Sequence, residues 1–280
     1  MDLKIIVIYC VCSDFISQLR HQKFDSQMTD AEVVTFAIVS AMFFYGNHEK
    51  SRHFLKIHGY IPNILSKSQL NRRLHAFEST FWNGLLHLLS QTLLHYEKTQ
   101  EYLVDSFPVS SCSTARISRS KIFQGKAYHG YSVTRKQYFY GIKVHMITSK
   151  RGIPVEILFT PGSEHDMRAF KRFSLDLPSG SIIYGDKAYN NYDFEDFLEE
   201  HAEIQMIVQR RKFSKRPLSA ERKYIQGIMR KRIETAFSEI ISLFPRVINA
   251  VTSFGFEIKI FNFILAYTFK LFFKNKVALV

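Results

Sequence analysis

The chain has 280 residues, 46% of them hydrophobic, so it can form one large domain or two ordinary ones and is too apolar for general disorder. Its 38 lysines and arginines exceed its 25 aspartates and glutamates, for a net charge of +13, which favours a polyanionic partner such as nucleic acid. Its three cysteines provide neither a disulfide framework nor two cysteine pairs for zinc, and they fit a reducing compartment.

Two apolar stretches could be mistaken for membrane segments. Residues 5–12 are too few to span a bilayer, and no small-residue cleavage site follows them, so we expect no signal peptide. Cys10 and Cys12 within this run are predicted to be buried in the core. Residues 260–273 are interrupted by polar side chains and predict a buried helix. We therefore expect a cytoplasmic, nucleoid-associated protein without a membrane segment.

Residues 1–98 have a helical pattern. Thr29 with Glu32, and Ser66 with Gln69, form the capping-box signature that marks the start of a helix. One face of the second helix is predicted to hold apolar residues, Leu70, Leu74, Phe77 and Phe81, and the other basic ones, Lys67, Arg72 and Arg73. A capped helix with a basic face is typical of a helix–turn–helix, although an ordinary solvated helix face is the alternative. We predict a helical, possibly helix–turn–helix DNA-binding domain over 1–98.

From residue 102 onward the pattern alternates between strands and helices. Strands are predicted at 102–105, 138–148, 154–160, 181–186 and 204–209, and helices at 167–173, 192–202 and between 217 and 245. This is the element order of a ribonuclease-H-like fold. We therefore predict an α/β protein in which a mixed sheet flanked by helices, residues 99–280, follows the helical domain.

Three distant carboxylates are candidates for a shared site. Asp105 and Asp186 each end a predicted buried strand, and Glu234 lies in the last predicted helix of the alternating region. Buried carboxylates are costly unless a cation neutralises them, and Mg²⁺ prefers oxygen ligands. Convergence of the three would give a two-metal phosphoryl-transfer site that takes Mg²⁺, or Mn²⁺ in its place. The alternative is three unrelated surface acids. Asp166, before a short helix, is either a rival ligand or a helix cap.

Basic residues flank these acids. No acid lies between Asp105 and Glu156, an interval with nine lysines and arginines that include Arg135, and ten more lie between Arg210 and Arg232. A charged stretch is often only a solvated face, but two of them bracket the carboxylates and suggest phosphate contacts. The residues predicted to contact DNA are Lys67, Arg72, Arg73, Arg119, Lys121, Lys143, Lys187, Arg210, Arg211 and Arg230.

Several stretches together resemble bacterial insertion-sequence transposases of the DDE type, closest to the insertion-sequence-982 family. They are residues 104–108, 139–145, 160–163, 184–189, 232–237 and 261–267. The resemblance implies a catalytic, metal-binding triad of Asp105, Asp186 and Glu234. Some related transposases have an Arg four residues before the Glu, a Tyr seven before and a Lys seven after. Here Arg230 matches, whereas Gly227 and Ile241 do not.

The resemblance also implies cleavage at the ends of a mobile element and joining of the freed 3′ hydroxyl to target DNA. The expected partners are double-stranded terminal inverted repeats and target DNA, with a homodimer or larger synaptic complex holding two ends together. A ribonuclease-H-fold nuclease or resolvase without strand transfer, and a non-catalytic DNA-binding regulator, are the alternatives.

Overall fold

The computed structural model describes residues 1–19, 27–133 and 136–274. Within those ranges the α-helices are α1 Asp2–Leu19, α2 Asp30–Phe44, α3 His48–Ile57, α4 Lys67–His75, α5 Ser79–Glu97, α6 Asp166–Phe170, α7 Tyr192–Ala202, α8 Ala220–Ile241 and α9 Ser253–Lys274. The strands in the same ranges are β1 Glu101–Cys112, β2 His129–Ser132, β3 Gln137–Ser149, β4 Pro154–Pro161, β5 Ile182–Gly185 and β6 Gln205–Val208. Arg135, one of the predicted basic residues, lies outside the described residues.

Contacts divide the chain into two compact units. One comprises Met1–Leu93 with Ile240–Val280, and the other comprises Leu94–Glu239. The predicted boundary at residue 98 assigns everything after it to the catalytic domain, whereas the contacts group the C-terminal stretch with the N-terminal helices. The functional division into a DNA-binding domain and a catalytic domain stays a prediction.

The first unit is helical and is built around α2. Eleven of the fifteen residues of α2 are buried, because α1, α3, α4 and α9 all pack against it. Its start has the predicted capping box: the Thr29 hydroxyl accepts the Glu32 N–H at 3.1 Å, and the Glu32 carboxylate accepts the Thr29 N–H at 2.6 Å. The capping box of α4 at Ser66 and Gln69 is also confirmed.

Two details of this unit differ from the sequence prediction. The prediction that Cys10 is buried is wrong, since it is exposed while Cys12 is buried. Both lie on α1, where residues two apart point about 200° apart around the axis. In addition, α4 ends at His75, so Phe77 and Phe81 do not continue its apolar face. None of the helices among the described residues is long and apolar enough to cross a membrane.

The second unit contains a mixed sheet with strand order β2-β3-β1-β5-β6, and β4 pairs with β3. β1 runs antiparallel to β3 and parallel to β5, which is parallel to β6. The predicted order of strand, hairpin, helix, strand, helix, strand and helix is confirmed, and the short β2 is an addition. The predicted α/β class, with a ribonuclease-H-like mixed sheet flanked by helices, is also confirmed.

Alternate residues of β1 point to opposite faces of this sheet. Tyr102 and Val104 belong to the buried cluster that includes Met167 of α6 and Leu198 of α7. Phe107, three residues after Val104 and so on the opposite face, instead contacts Phe237 of α8, with ring centroids 4.7 Å apart. The helices α6 and α7 therefore pack against one face of β1, and α8 packs against the other.

Candidate active site

Asp105 and Asp186 are brought together by the parallel pairing of β1 with β5. Val104 is the register partner of Gly185, and the residues that directly follow these two are Asp105 and Asp186. Adjacent strands lie about 4.8 Å apart, which makes these carboxylates neighbours across the sheet. The predicted position of Asp105 needs one correction: it does not end its strand, because β1 continues to Cys112. Asp186 directly follows β5, as predicted.

Helix α8 is fixed over this pair at two points. The buried Gln226 side chain donates a hydrogen bond to the carbonyl of Gly185 at 3.1 Å, beside Asp186. Further along the helix Phe237 packs on Phe107, which shares a strand face with Asp105. Residues four apart on a helix share a face, so Gln226, Arg230 and Glu234 lie along one side of α8.

Glu234 is engaged by Arg230. The Arg230 Nε donates to a Glu234 carboxylate oxygen at 3.0 Å, and both side chains are about half exposed, at 45% and 53%. Among the described residues, no group of three or more His, Cys, Asp or Glu side chains is arranged to hold a metal ion. The structure thus pairs the two aspartates and leaves the glutamate bonded to its own helix neighbour.

The electrostatics of the site show an uncompensated negative charge. Burial, together with the charges of Asp186 and Asp166, raises the pKa of Asp105 to about 7. Burial and the charge of Asp166 likewise raise the pKa of Asp186. The hydrogen bonds from the Ser106 and Ala188 backbone N–H groups act in the opposite direction, as does the positive charge of Arg230. Two half-buried carboxylates that need a cation therefore lie beside one guanidinium.

Asp166 belongs to a separate polar network. Its Oδ1 accepts from the Ser106 hydroxyl at 2.9 Å and from the Lys143 ammonium at 3.2 Å. The fully buried His145 ring places Nδ1 at 3.7 Å from the same oxygen and has no hydrogen-bond partner there. Because Ser106 follows Asp105 on β1, it points to the opposite face of the sheet. Asp166 therefore supports the strand beside Asp105 from the face opposite α8.

Comparison with known proteins assigns the family. Residues 96–244, just over half of the chain, match the transposase DDE domain family. The chain belongs to the DDE transposase family. It is also 23% identical, over 150 residues, to the transposase for insertion sequence element IS1106 of Neisseria meningitidis serogroup B. That match covers 48% of this chain, which spans about half (52%) of the length of this curated relative. No solved structure matches the chain.

The family assignment covers the whole of the site described above. The matched residues contain β1, β5 and α8, with Asp105, Asp186 and Glu234 on or beside them. The resemblance to the insertion-sequence-982 family in particular stays a prediction, and so do the roles of the three acids.

The donor chemistry of this candidate site fits a hard divalent cation. Asp105 and Asp186 present carboxylate oxygens on neighbouring strands, and their raised pKa values show how poorly the protein alone compensates their charge. Glu234 could add a third carboxylate only after giving up its bond to Arg230. Asp166 is held by a hydroxyl and an ammonium and is less available as a ligand.

The predicted DNA contacts fall into two groups. Six have exposed side chains: Lys67, Arg72, Arg119, Lys121, Lys187 and Arg211. The other four are engaged in ion pairs: Arg73 with Asp30, Lys143 with Asp166, Arg230 with Glu234 and Arg210 with Glu195. Arg210 is the extreme case, since only 8% of its side chain is exposed. A guanidinium so placed has little surface to offer a phosphate, and its role is to join β6 to α7.

Sequence alone does not identify Gln226, Ser106 or His145 as parts of the candidate site. Gln226 could have been found from its spacing, because it lies eight residues before Glu234 and four before Arg230 on one helix face. Ser106 and His145 gave no comparable signal. Their involvement depends on the pairing of β1 with β3, where they are register partners.

Proposed function

We propose that the protein is a DNA transposase that cleaves DNA at the ends of a mobile element and joins the freed 3′ hydroxyl to target DNA. The observation that supports this best is the pair of neighbouring carboxylates, Asp105 and Asp186, beneath α8 in a chain of the DDE transposase family. The proposal includes a requirement for Mg²⁺, or Mn²⁺ in its place, with two ions bound during the reaction.

Asp105 and Asp186 would hold the metal ions in this proposal. Bound there, the ions would supply activation of the attacking oxygen and stabilisation of the leaving oxygen in an in-line displacement. The protein's own contribution is to hold the two carboxylates in place, through the backbone N–H groups of Ser106 and Ala188, at 2.7 Å each. Positioning and charge neutralisation then account for most of the rate.

Glu234 and Arg230 have linked roles. Glu234 would be the third carboxylate to hold a metal ion, in place of its hydrogen bond to Arg230. The released guanidinium, already close enough to lower the pKa of both aspartates, is then available to a DNA phosphate. The Arg230–Glu234 pair in the present structure would be the resting arrangement of these two side chains.

The DNA partners are proposed to be the terminal inverted repeats and the target. The exposed basic residues named above would contact phosphates, and α4 with Lys67 and Arg72 would contribute to recognition of the ends. Two ends must be held at once for transposition, so the working assembly is a dimer or a larger synaptic complex.

The test is a strand-cleavage and joining assay with the full chain. The substrate is linear DNA carrying the inverted repeats that flank the reading frame, with Mg²⁺ or Mn²⁺ present. We expect Asp105→Asn, Asp186→Asn and Glu234→Gln each to abolish both steps, and Glu199→Gln, an exposed acid of α7, to leave them intact. Wild-type rates in all three variants would refute the assignment, and cleavage without joining would identify a nuclease or resolvase.

One observation favours a second function, that of a non-catalytic DNA-binding regulator. Arg230 is hydrogen-bonded to Glu234, and the described residues contain no group of three acids arranged to hold a metal ion. A regulator would bind the same DNA equally well in EDTA and in Mg²⁺ and would never nick it. Metal-dependent nicking in the assay above would exclude this alternative.

A further inference from the structure

A cavity of about 280 Å³ lies within the first unit, away from the carboxylate site. It is bounded by the start of α3, the start of α4, residues 245–249 and one face of α9. Its volume is close to the lower end of the range for small-molecule sites, so it can admit one small group or a single nucleotide and excludes a duplex. Of its lining residues, Lys67 has a role proposed above, as a general DNA contact.

Positive charge is concentrated in this cavity. The lining includes the lysines Lys67 of α4 and Lys259 of α9, together with the imidazole of His48. Burial, and then the charge of Lys67, lower the pKa of Lys259. Burial, together with the charges of Lys259 and Lys67, lowers the pKa of His48 to about 4. Lys259 therefore experiences the positive charge of Lys67, and His48 experiences the charge of both lysines.

The nearby acid does not neutralise the cavity. The carboxylate among the described residues that line the cavity belongs to Glu49. Glu49 forms an ion pair with Arg52 at 2.9 Å, and the Glu49 side chain is 58% exposed. The Lys259 ammonium donates to the backbone carbonyl of Asn249, which is a neutral partner. An anion placed between the two ammonium groups would relieve their repulsion.

The remaining lining fits the rest of a nucleotide. Phe263 is 2% exposed and forms an apolar wall, while Tyr45 lines the cavity with a ring that is 61% exposed. The first N–H groups of an α-helix have no partner within the helix, and the first two of the ten-residue α3 belong to the lining residues His48 and Glu49. They add donors to a site whose charge comes from the two lysines.

From this cavity and its lysines we infer a second nucleic-acid site, one that takes a phosphate group together with the unpaired nucleoside attached to it. As a phosphate site it stands independently of catalysis. As a site for a DNA strand it rests on the proposed function. Lys67, predicted as a general DNA contact, thereby acquires a specific partner group.

The inference is tested by calorimetric titration of the full chain in EDTA, so that metal-dependent cleavage plays no part. The probes are inorganic phosphate, deoxyadenosine monophosphate and a twelve-residue single-stranded oligothymidylate. A charge-assisted hydrogen bond is worth about 1.5–3 kcal/mol, so Lys67→Gln and Lys259→Gln should each weaken binding by about tenfold or more. The exposed Lys56 of α3 does not line the cavity, and Lys56→Gln should retain binding within about twofold.

The outcomes separate the ligand sources. If the mononucleotide and the oligonucleotide compete for the wild type, and both cavity variants lose this binding, the ligand is a nucleic-acid strand. Binding of phosphate and the mononucleotide without the oligonucleotide overturns the strand and leaves a small-molecule site. No binding of any probe by the wild type, or equal losses in all three variants, overturns the inference. Exposed Lys67 provides a variant that should fold normally if Lys259→Gln does not, and melting curves check both.

Discussion

The buried ion pair between Arg210 and Glu195 makes a quantitative prediction about stability. The guanidinium donates to both carboxylate oxygens, at 2.8 and 2.5 Å, and to the Asn190 side chain at 3.1 Å. The two side chains are 8% and 7% exposed. Removing one partner from a buried pair leaves an uncompensated charge and costs about 3–5 kcal/mol. We therefore expect Arg210→Met to lower the free energy of unfolding by about that amount.

The chain offers a matched control in Arg216. This residue also makes a two-point ion pair, with Asp196 at 2.6 and 2.9 Å, and it also stacks on the Tyr192 ring. Its pair is exposed, at 48% and 45%, so Arg216→Met should lower the free energy of unfolding far less than Arg210→Met does. Because both arginines make two-point ion pairs, the difference in unfolding free energy between the two variants measures the effect of burial.

The measurement is urea unfolding followed by circular dichroism, with the double variant Arg210→Met, Glu195→Leu included. Replacing both members of a buried pair by apolar groups is often neutral, so the double variant should recover most of the loss. The reasoning is refuted if Arg210→Met is no less stable than Arg216→Met. A stable Arg210→Met that binds DNA weakly would instead restore Arg210 to the predicted DNA contacts.

The remaining predictions concern the space around two glycines and the effect of pH on stability. An added Cβ at Gly141 would lie 2.2 Å from the Val109 carbonyl oxygen, so Gly141→Ala should cost about 1–3 kcal/mol or more by parting β3 from β1. A Cβ added at Gly227 would have no neighbour within 4 Å, so Gly227→Ala should stabilise α8 by about 0.5–1 kcal/mol. A variant that melts at the wild-type temperature would contradict the expectation for that glycine. His48 has a pKa lowered from 6.5 to about 4, so the unfolded chain binds the proton first and stability should fall by up to about 3 kcal/mol as pH drops from about 6.5 to 4. The fall in unfolding midpoint across this range should become smaller in His48→Gln, with a remainder from His145, whose pKa burial also lowers to about 4. It should be unchanged in His53→Gln, an exposed control, and a wild-type profile in His48→Gln would rule out His48 as a cause.

The elements that sequence predicts well are those set by local rules. The capping boxes at Thr29 and Ser66 were visible because the two members of each box lie three residues apart. Helix α7 has the predicted bounds, 192–202, since it combines a capping Asn191 with an apolar face. The position of Asp186 at the end of β5 likewise follows from a short apolar run.

The parts that sequence could not supply depend on long-range packing. From the sequence, Arg210 is indistinguishable from an exposed cation. Only the packing of α7 beside β6 buries it against Glu195. Asp166 has the same sequence context whether it binds metal or Ser106, and only the pairing of β1 with β3 decides between them. The grouping of α9 with α2 joins segments more than two hundred residues apart, for which local periodicity gives no signal.

The central claim is that Asp105 and Asp186 together bind a divalent cation. The direct measurement is Mn²⁺ titration of the full, metal-free chain by electron paramagnetic resonance, without DNA. The account predicts saturable binding by the wild type and by Glu199→Gln, and binding weakened at least about tenfold in Asp105→Asn and in Asp186→Asn, because even outer-shell changes cost 10–100-fold. Unchanged Mn²⁺ affinity in both aspartate variants would contradict it.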